Sequence, residues 1–200
     1  MKQLNLIGCA EGWQDAPYSD ECWGITNLPI KRDVTRCLDM HDFTWTKKQW
    51  FEHYLVWAGG HYGRNYLTER TKNRGKKTDA LFNKINELKI PFYSVRAYPQ
   101  VPTSAAYPFK EISEFFKTSL FVSTADFAIA MAIYEGFTSI DFYGFKMSAG
   151  DEYEHQVPSC NFWIGLATGM KIKCKVHGET ALLKSKTGLI YGYNVKPGGE

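Results

Sequence analysis

With 200 residues and a net charge of +3, the chain has the length of a single domain with one substantial core, and its charge alone does not call for a polyanionic partner. Its residues are 44% hydrophobic and 16% aromatic, which excludes a disordered chain, and its longest strongly apolar stretch, residues 127–134, is far short of the roughly 20 residues that span a bilayer. Cys9, Cys22, Cys37, Cys160 and Cys174 are odd in number and form no Cys-x-x-Cys pair, so neither a disulfide framework nor a structural zinc site is expected; a cytoplasmic protein, with no membrane or secretory segment, is.

The chain opens with the apolar run 4–7, which ends in the small-residue turn Gly8-Cys9-Ala10-Glu11-Gly12, the pattern of a buried strand leading into a tight turn. Residues 23–26 and 35–38 read as two further short strands. Trp50, Phe51, Tyr54 and Leu55 share one face at helical spacing and predict a helix over 46–58, stopped by Gly59-Gly60. Residues 61–77 then carry Arg64, Arg70, Lys72, Arg74, Lys76 and Lys77 against Glu69 alone, a basic loop or lid. Thr78-Asp79 is a cap for a helix with Leu81, Ile85 and Leu88 inward, Pro91 forces a boundary, and 92–95 reads as a strand. Pro99 and Pro102 predict irregular chain over 97–106, followed by a short helix over 107–116 with Pro108 in its first turn.

The last third is the most regular. Residues 120–122 read as a strand, Ser123 or Thr124 as an N-cap, and the almost wholly apolar run to Tyr134 as a buried helix stopped at Gly136. Residues 139–143 form a strand, 148–158 a polar loop, 159–168 a helix, and 171–176 a strand with Lys171, Lys173 and Lys175 on one side; the tail from 196 frays. Strands alternating with helices of about ten residues predict an α/β fold: a single three-layer Rossmann-like domain with a mainly parallel sheet.

Several residues carry chemistry on this reading. Backbone amides in the turn 8–12 can face a phosphate, although the turn is neither GxGxxG nor a P-loop, and a plain tight turn fits equally. His155, in a loop with Asp151, Glu152, Tyr153 and Glu154, can take a proton from a hydroxyl, against the alternative of a surface histidine. Asp39, His41 and Asp42 make a second cluster, but neighbours on an extended segment alternate in direction, so a structural or substrate-contact role is expected rather than a three-ligand metal site. The basic segment, with Tyr62 and Tyr66 at its start, can grip a phosphate backbone or be simply solvated; Arg64, Arg70, Lys72 and Arg74 are the nucleic-acid candidates. Cys9 reads as a buried small hydrophobe, and Trp13 and Trp23 as rings able to stack a nucleobase.

The segments LIGCAEG, WGITNL, STADFAIAMAIYEGFTSIDFYGFKM and HQVPSCNFWIGLATGMKIKCKV, in this order, resemble the small Rossmann-like bacterial sialyltransferases, their relatives of the 6-hydroxymethylpterin diphosphokinase type, and similar phage proteins. The resemblance implies a nucleotide held by Gly8, Ala10, Asn27, Ser123 and Thr124 and a general base at His155. The first turn departs from the family, with Cys9, Ala10 and Gly12 where Asn, Gly and Ser are usual, and Ala125 replaces a glycine. Leaving-group charge then falls to Tyr143, Tyr153, Lys146 or backbone amides. The expected function is a glycosyltransferase-like protein that uses a nucleotide-sugar donor, with no cofactor and no essential metal, and with DNA as the acceptor if the chain is phage-encoded. The alternatives are a pyrophosphoryl transferase of the pterin-kinase type, which needs magnesium and ATP, or a non-catalytic nucleotide-binding protein.

Overall fold

The computed structural model describes residues 2–57, 68, 71–147, 154–184, 188–190, 192, 195 and 196. Seven strands form one sheet: β1 (Gln3–Ile7), β2 (Cys22–Ile25), β3 (Arg36–Leu38), β4 (Phe92–Ser94), β5 (Ser104–Ala106), β6 (Ser139–Tyr143) and β7 (Lys173–Val176). Their order across the sheet is β5-β4-β3-β2-β1-β6-β7, and every pairing is parallel. From β1 the chain steps outward to β5 and then returns to the other side of β1, so the order reverses between β1 and β6. This is the topological switch point of a doubly wound, Rossmann-like α/β fold.

Parallel strands need long crossovers, which carry α1 (Lys47–Trp57), α2 (Arg74–Leu88), α3 (Phe109–Phe116), α4 (Thr124–Tyr134) and α5 (Val157–Gly169). Alternation along each strand sorts the core to two faces. Leu4, Leu6, Trp23 and Leu38 pack with α4 and α5, whereas Ile7, Cys22 and Cys37 pack with Leu81 and Ile85 of α2. The helix α4 has no polar face because it is buried nearly all round, from Ala125 to Ile133. Its start is fixed by a capping box, with the Ser123 side chain accepting from the Asp126 N–H and the Asp126 carboxylate accepting from the Ser123 N–H.

Three expectations change. Residues 120–122 are not a strand: Val122 N–H is spent on Asp126 at 2.7 Å and Leu120 C=O on the Trp163 indole at 2.8 Å. Residues 104–106 are a strand, the edge β5, within the span expected to be irregular. The helix α2 starts at Arg74 rather than Thr78, and Thr68, Thr71 and Lys72 are also helical, so the described part of the basic segment is helix rather than loop. Among the described residues no helix is long and apolar enough to cross a membrane.

Candidate functional site

A parallel sheet ends all its strands at one edge, and the loops there gather most of the sequence candidates: Gly8 and Ala10 after β1, Asn27 after β2, the Asp39–His41 segment after β3, and Lys146 after β6. Ser123 and Thr124 arrive at the same edge on α4, and His155 on the 3-10 turn Glu154–Gln156 that leads into α5. Backbone strain collects here too. Thr26 (φ 53°) and Met147 (φ 44°), a β-branched and a long side chain in left-handed conformation, lie just past β2 and β6.

At the switch point itself the crevice is closed. Gly8 N–H donates to Tyr143 C=O at 2.8 Å and Ala10 N–H to Gly144 C=O at 3.1 Å, so these two amides are not aimed at a phosphate, contrary to the expectation for Gly8 and Ala10. No α-helix follows β1 either, only the 3-10 turn Trp13–Asp15. Beside this contact lies an open cleft of about 230 Å³ lined by Glu11, Gly12, Asp15, Lys146, Gly178 and Glu179. Its three carboxylates outweigh Lys146, whose Nζ is 3.3 Å from Glu179 and 4.0 Å from Glu11, so the expected phosphate role of Lys146 meets a field of the wrong sign. Tyr143 ends β6, next to this contact. It packs on the α2 face, its ring stacked on His177 at 4.2 Å, and burial, with Asp141 and Asp15 nearby, pushes its phenol up. His177 is held in turn by Asp141 at 2.6 Å.

The opposite corner of the edge is built differently. The N-termini of α4 and α5 meet: Ser159 Oγ donates to Asp126 at 2.9 Å, Cys160 Sγ lies 3.2 Å from Asp126 and 3.6 Å from Ser123 Oγ, and Met40 N–H donates to Thr124 Oγ1 at 3.3 Å. Two helix N-termini and the end of β3 thus share one corner, with His155 exposed at its rim. Asp126 is wholly buried, and burial lifts its carboxyl above the ordinary value despite the bonds it accepts from Val122, Cys160, Ser159 and Ser123. Burial, reinforced by that carboxylate, also pushes the Cys160 thiol well up, so this thiol does not supply a nucleophile at neutral pH. Asn27 is half-buried at the start of the turn Leu28–Ile30, where its side chain makes no capping bond.

After β3 the second cluster divides in two. Asp39 and His41 turn to one side and bond each other, while Asp42 turns away and pairs with Arg96 at 2.7 Å. Among the described residues no group of three or more His, Cys, Asp or Glu converges in a metal-holding arrangement. Arg74 belongs to this cluster, which corrects its reading as a nucleic-acid contact: it is 8% exposed, lies over the Trp50 ring at 4.1 Å, and points Nη2 at Asp39 Oδ2 across 3.9 Å. Nothing near it in sequence signals this, since Asp39 is far away along the chain. Burial raises the Asp39 carboxyl, but His41 and Arg74 together outweigh it and hold it below the ordinary value.

Of the remaining candidates, Lys72 is exposed, whereas Arg64, Arg70 and Tyr153 lie outside the described residues. Trp23 is fully buried and cannot stack a ligand; Trp13 is half-buried. Burial, partly offset by a contact with Thr26, pushes the Cys9 thiol up, as suits a packed small residue. Comparison of the chain with protein-family models, with curated proteins and with solved structures gave no match.

Proposed function

We propose that this protein is a glycosyltransferase-like transferase that binds a nucleotide-sugar donor at the corner formed by the N-termini of α4 and α5 and the end of β3. One observation carries the reading: at this edge the N-termini of two helices converge, away from the acidic switch-point cleft. The switch-point cleft presents Glu11, Asp15 and Glu179 against a single Lys146. The other corner presents two helix N-termini tied together through Asp126 and Ser159, whose backbone dipoles favour a phosphate. Ser123 and Thr124 belong to that corner, whereas the amides of Gly8 and Ala10 are spent on β6 and its turn, so this reading places the donor at the corner. In this reading the acceptor hydroxyl gives its proton to a histidine at the same edge, for which the resemblance names His155. DNA is one candidate acceptor, through Lys72 and its basic neighbours on α2.

The test is a thermal-shift series of the whole chain with nucleotide sugars, free nucleotides and ATP, each with and without magnesium. A donor present at 100 times its Kd adds about 2.7 kcal/mol, which for a chain of this size raises Tm by roughly 5–10 °C. A rise with a nucleotide sugar in the absence of metal, followed by release of the nucleotide on turnover, is the expected result. Stabilisation only by ATP with magnesium replaces this reading with pyrophosphoryl transfer. Stabilisation without turnover under any condition replaces it with a sequestering protein.

A further inference from the structure

His41 stands two residues past Asp39 at the end of β3, and the two are built as a unit. Asp39 is entirely buried; it accepts the His41 backbone N–H at 3.1 Å and bonds the ring at Nδ1. An ionised carboxylate only accepts, so Nδ1 carries the proton and Nε2 is the nitrogen left to exchange one. The His41 side chain keeps 23% of its surface exposed while the carboxylate behind it has none, which is the layout of a base oriented from the protein interior. Rings surround it: Trp50 at 5.2 Å and His53 at 5.6 Å, with the half-buried Trp45 at 4.9 Å from His53 and 5.1 Å from Trp50.

Arg74 completes the group. Its guanidinium lies between the Trp50 ring and Asp39, and its Nε and Nη2, like Asp39 Oδ2, are buried without a hydrogen-bond partner among the described residues. Buried polar atoms are nearly always satisfied, so donors left open beside an oriented base mark a place prepared for a substrate oxygen.

We infer that Asp39 and His41 form a general-base pair for a hydroxyl on a ring substrate, a sugar or a nucleoside, that packs against Trp45. His41 is the catalytic residue, Asp39 its positioning residue, and Arg74 the cation that receives the oxygen. This rests on the transferase reading for the donor and moves to His41 the proton-accepting role that the resemblance gives to His155. The acceptor hydroxyl transfers its proton to His41 Nε2. Its oxygen forms a bond to the anomeric carbon of the donor sugar, and the C–O bond to the nucleoside phosphate breaks, with its electron pair leaving on the phosphate. Asp39 stays ionised and stabilises the positive charge of the resulting imidazolium.

Two measurements test this. The first needs no turnover: long-range 1H–15N correlation spectra of the 15N-labelled wild-type chain should show His41 protonated on Nδ1 in its neutral form, and D39N should abolish that preference. A His41 protonated on Nε2, or one indifferent to D39N, overturns the pair. The second uses the donor that stabilises the protein: H41Q should lose transfer by roughly 10²- to 10⁴-fold, and D39N should lower kcat while leaving KM near the wild-type value. H41Q activity within about tenfold of wild type overturns the inference but leaves the donor reading standing, and loss in H155A alone returns the role to His155. A wild-type chain that binds no nucleotide sugar, or turns none over, overturns the transferase reading and this step with it, whatever the tautomer.

Discussion

Gly8 is a glycine for a reason that can be measured. A Cβ built there would stand 2.4 Å from the Gly144 carbonyl oxygen and 3.2 Å from its carbon, both backbone atoms that cannot swing aside. Gly144 is constrained in return, with φ +68° and the carbonyls of Ala10 and Gly8 each 2.9 Å from its own missing Cβ. Gly8→Ala is therefore expected to lose about 1–3 kcal/mol, seen as a lower urea midpoint at unchanged m-value, because overpacking must be relieved by parting β1 from β6. Single residues also mark the limit of what could be read beforehand. Asp39, His41 and Asp42 were legible as a cluster because they are neighbours in sequence, whereas the burial of Arg74 depends on a carboxylate and a tryptophan on other elements.

Among the elements, the apolar pattern identified the buried ones and failed where polarity decides. Helix α4 and strand β6 match their expected spans closely because burial dictates their residues, whereas β7 begins at Lys173, two residues later than expected, because Lys171 is left-handed with φ 67°. Strand β5 has only Ser104, Ala105 and Ala106 to show, with no large side chain to announce an edge strand. The span 120–122 is apolar yet serves the cap of α4, a role set by Asp126 four residues on from Val122. Removing that carboxylate in Asp126→Ala should cost roughly 2 kcal/mol, since the cap is lost and buried donors on Val122 and Ser159 lose their acceptor. Its pH signature has a definite sign. Because burial raises the folded value above the unfolded one, about 3.9, the folded state holds the proton more tightly across that interval. The unfolding free energy of wild type minus that of Asp126→Asn should thus be greatest at the acid end, fall as pH rises through the interval, and level off above it; urea titrations at a series of pH values check this.

At the scale of the whole molecule, a formal charge of +3 conceals an uneven surface. The cleft beside Lys146 is acidic, whereas Lys72, just ahead of α2, and Lys76 and Lys77 in its first turn are exposed while Arg74 is turned in. If DNA is the acceptor, replacing these three lysines by glutamine should weaken its binding at low salt and lower the slope of log K against log salt by roughly 0.9 for each phosphate that is no longer neutralised. Gel-shift titrations at two salt concentrations measure both; an unchanged slope removes α2 from the interface. Arg74 is unsuited to that experiment, because its loss would strip Asp39 and Trp50 of a buried partner and confuse instability with binding.

The place of β1 in the sheet also has a consequence during synthesis. Strand β1, made before the other six strands of the sheet, is central in it, paired with β2 on one side and with β6 on the other. Its second partner does not exist until residue 143 has been added, which at about 5–20 residues per second is a wait of roughly ten seconds on the ribosome. Through that interval one edge of β1 has no partner, and Leu4 and Leu6 lack α4 and α5, against which they finally pack. The nascent chain therefore carries an open apolar strand edge until β6 has been made, and a chaperone acting on this protein would find its binding site on β1 long before the fold can close over it.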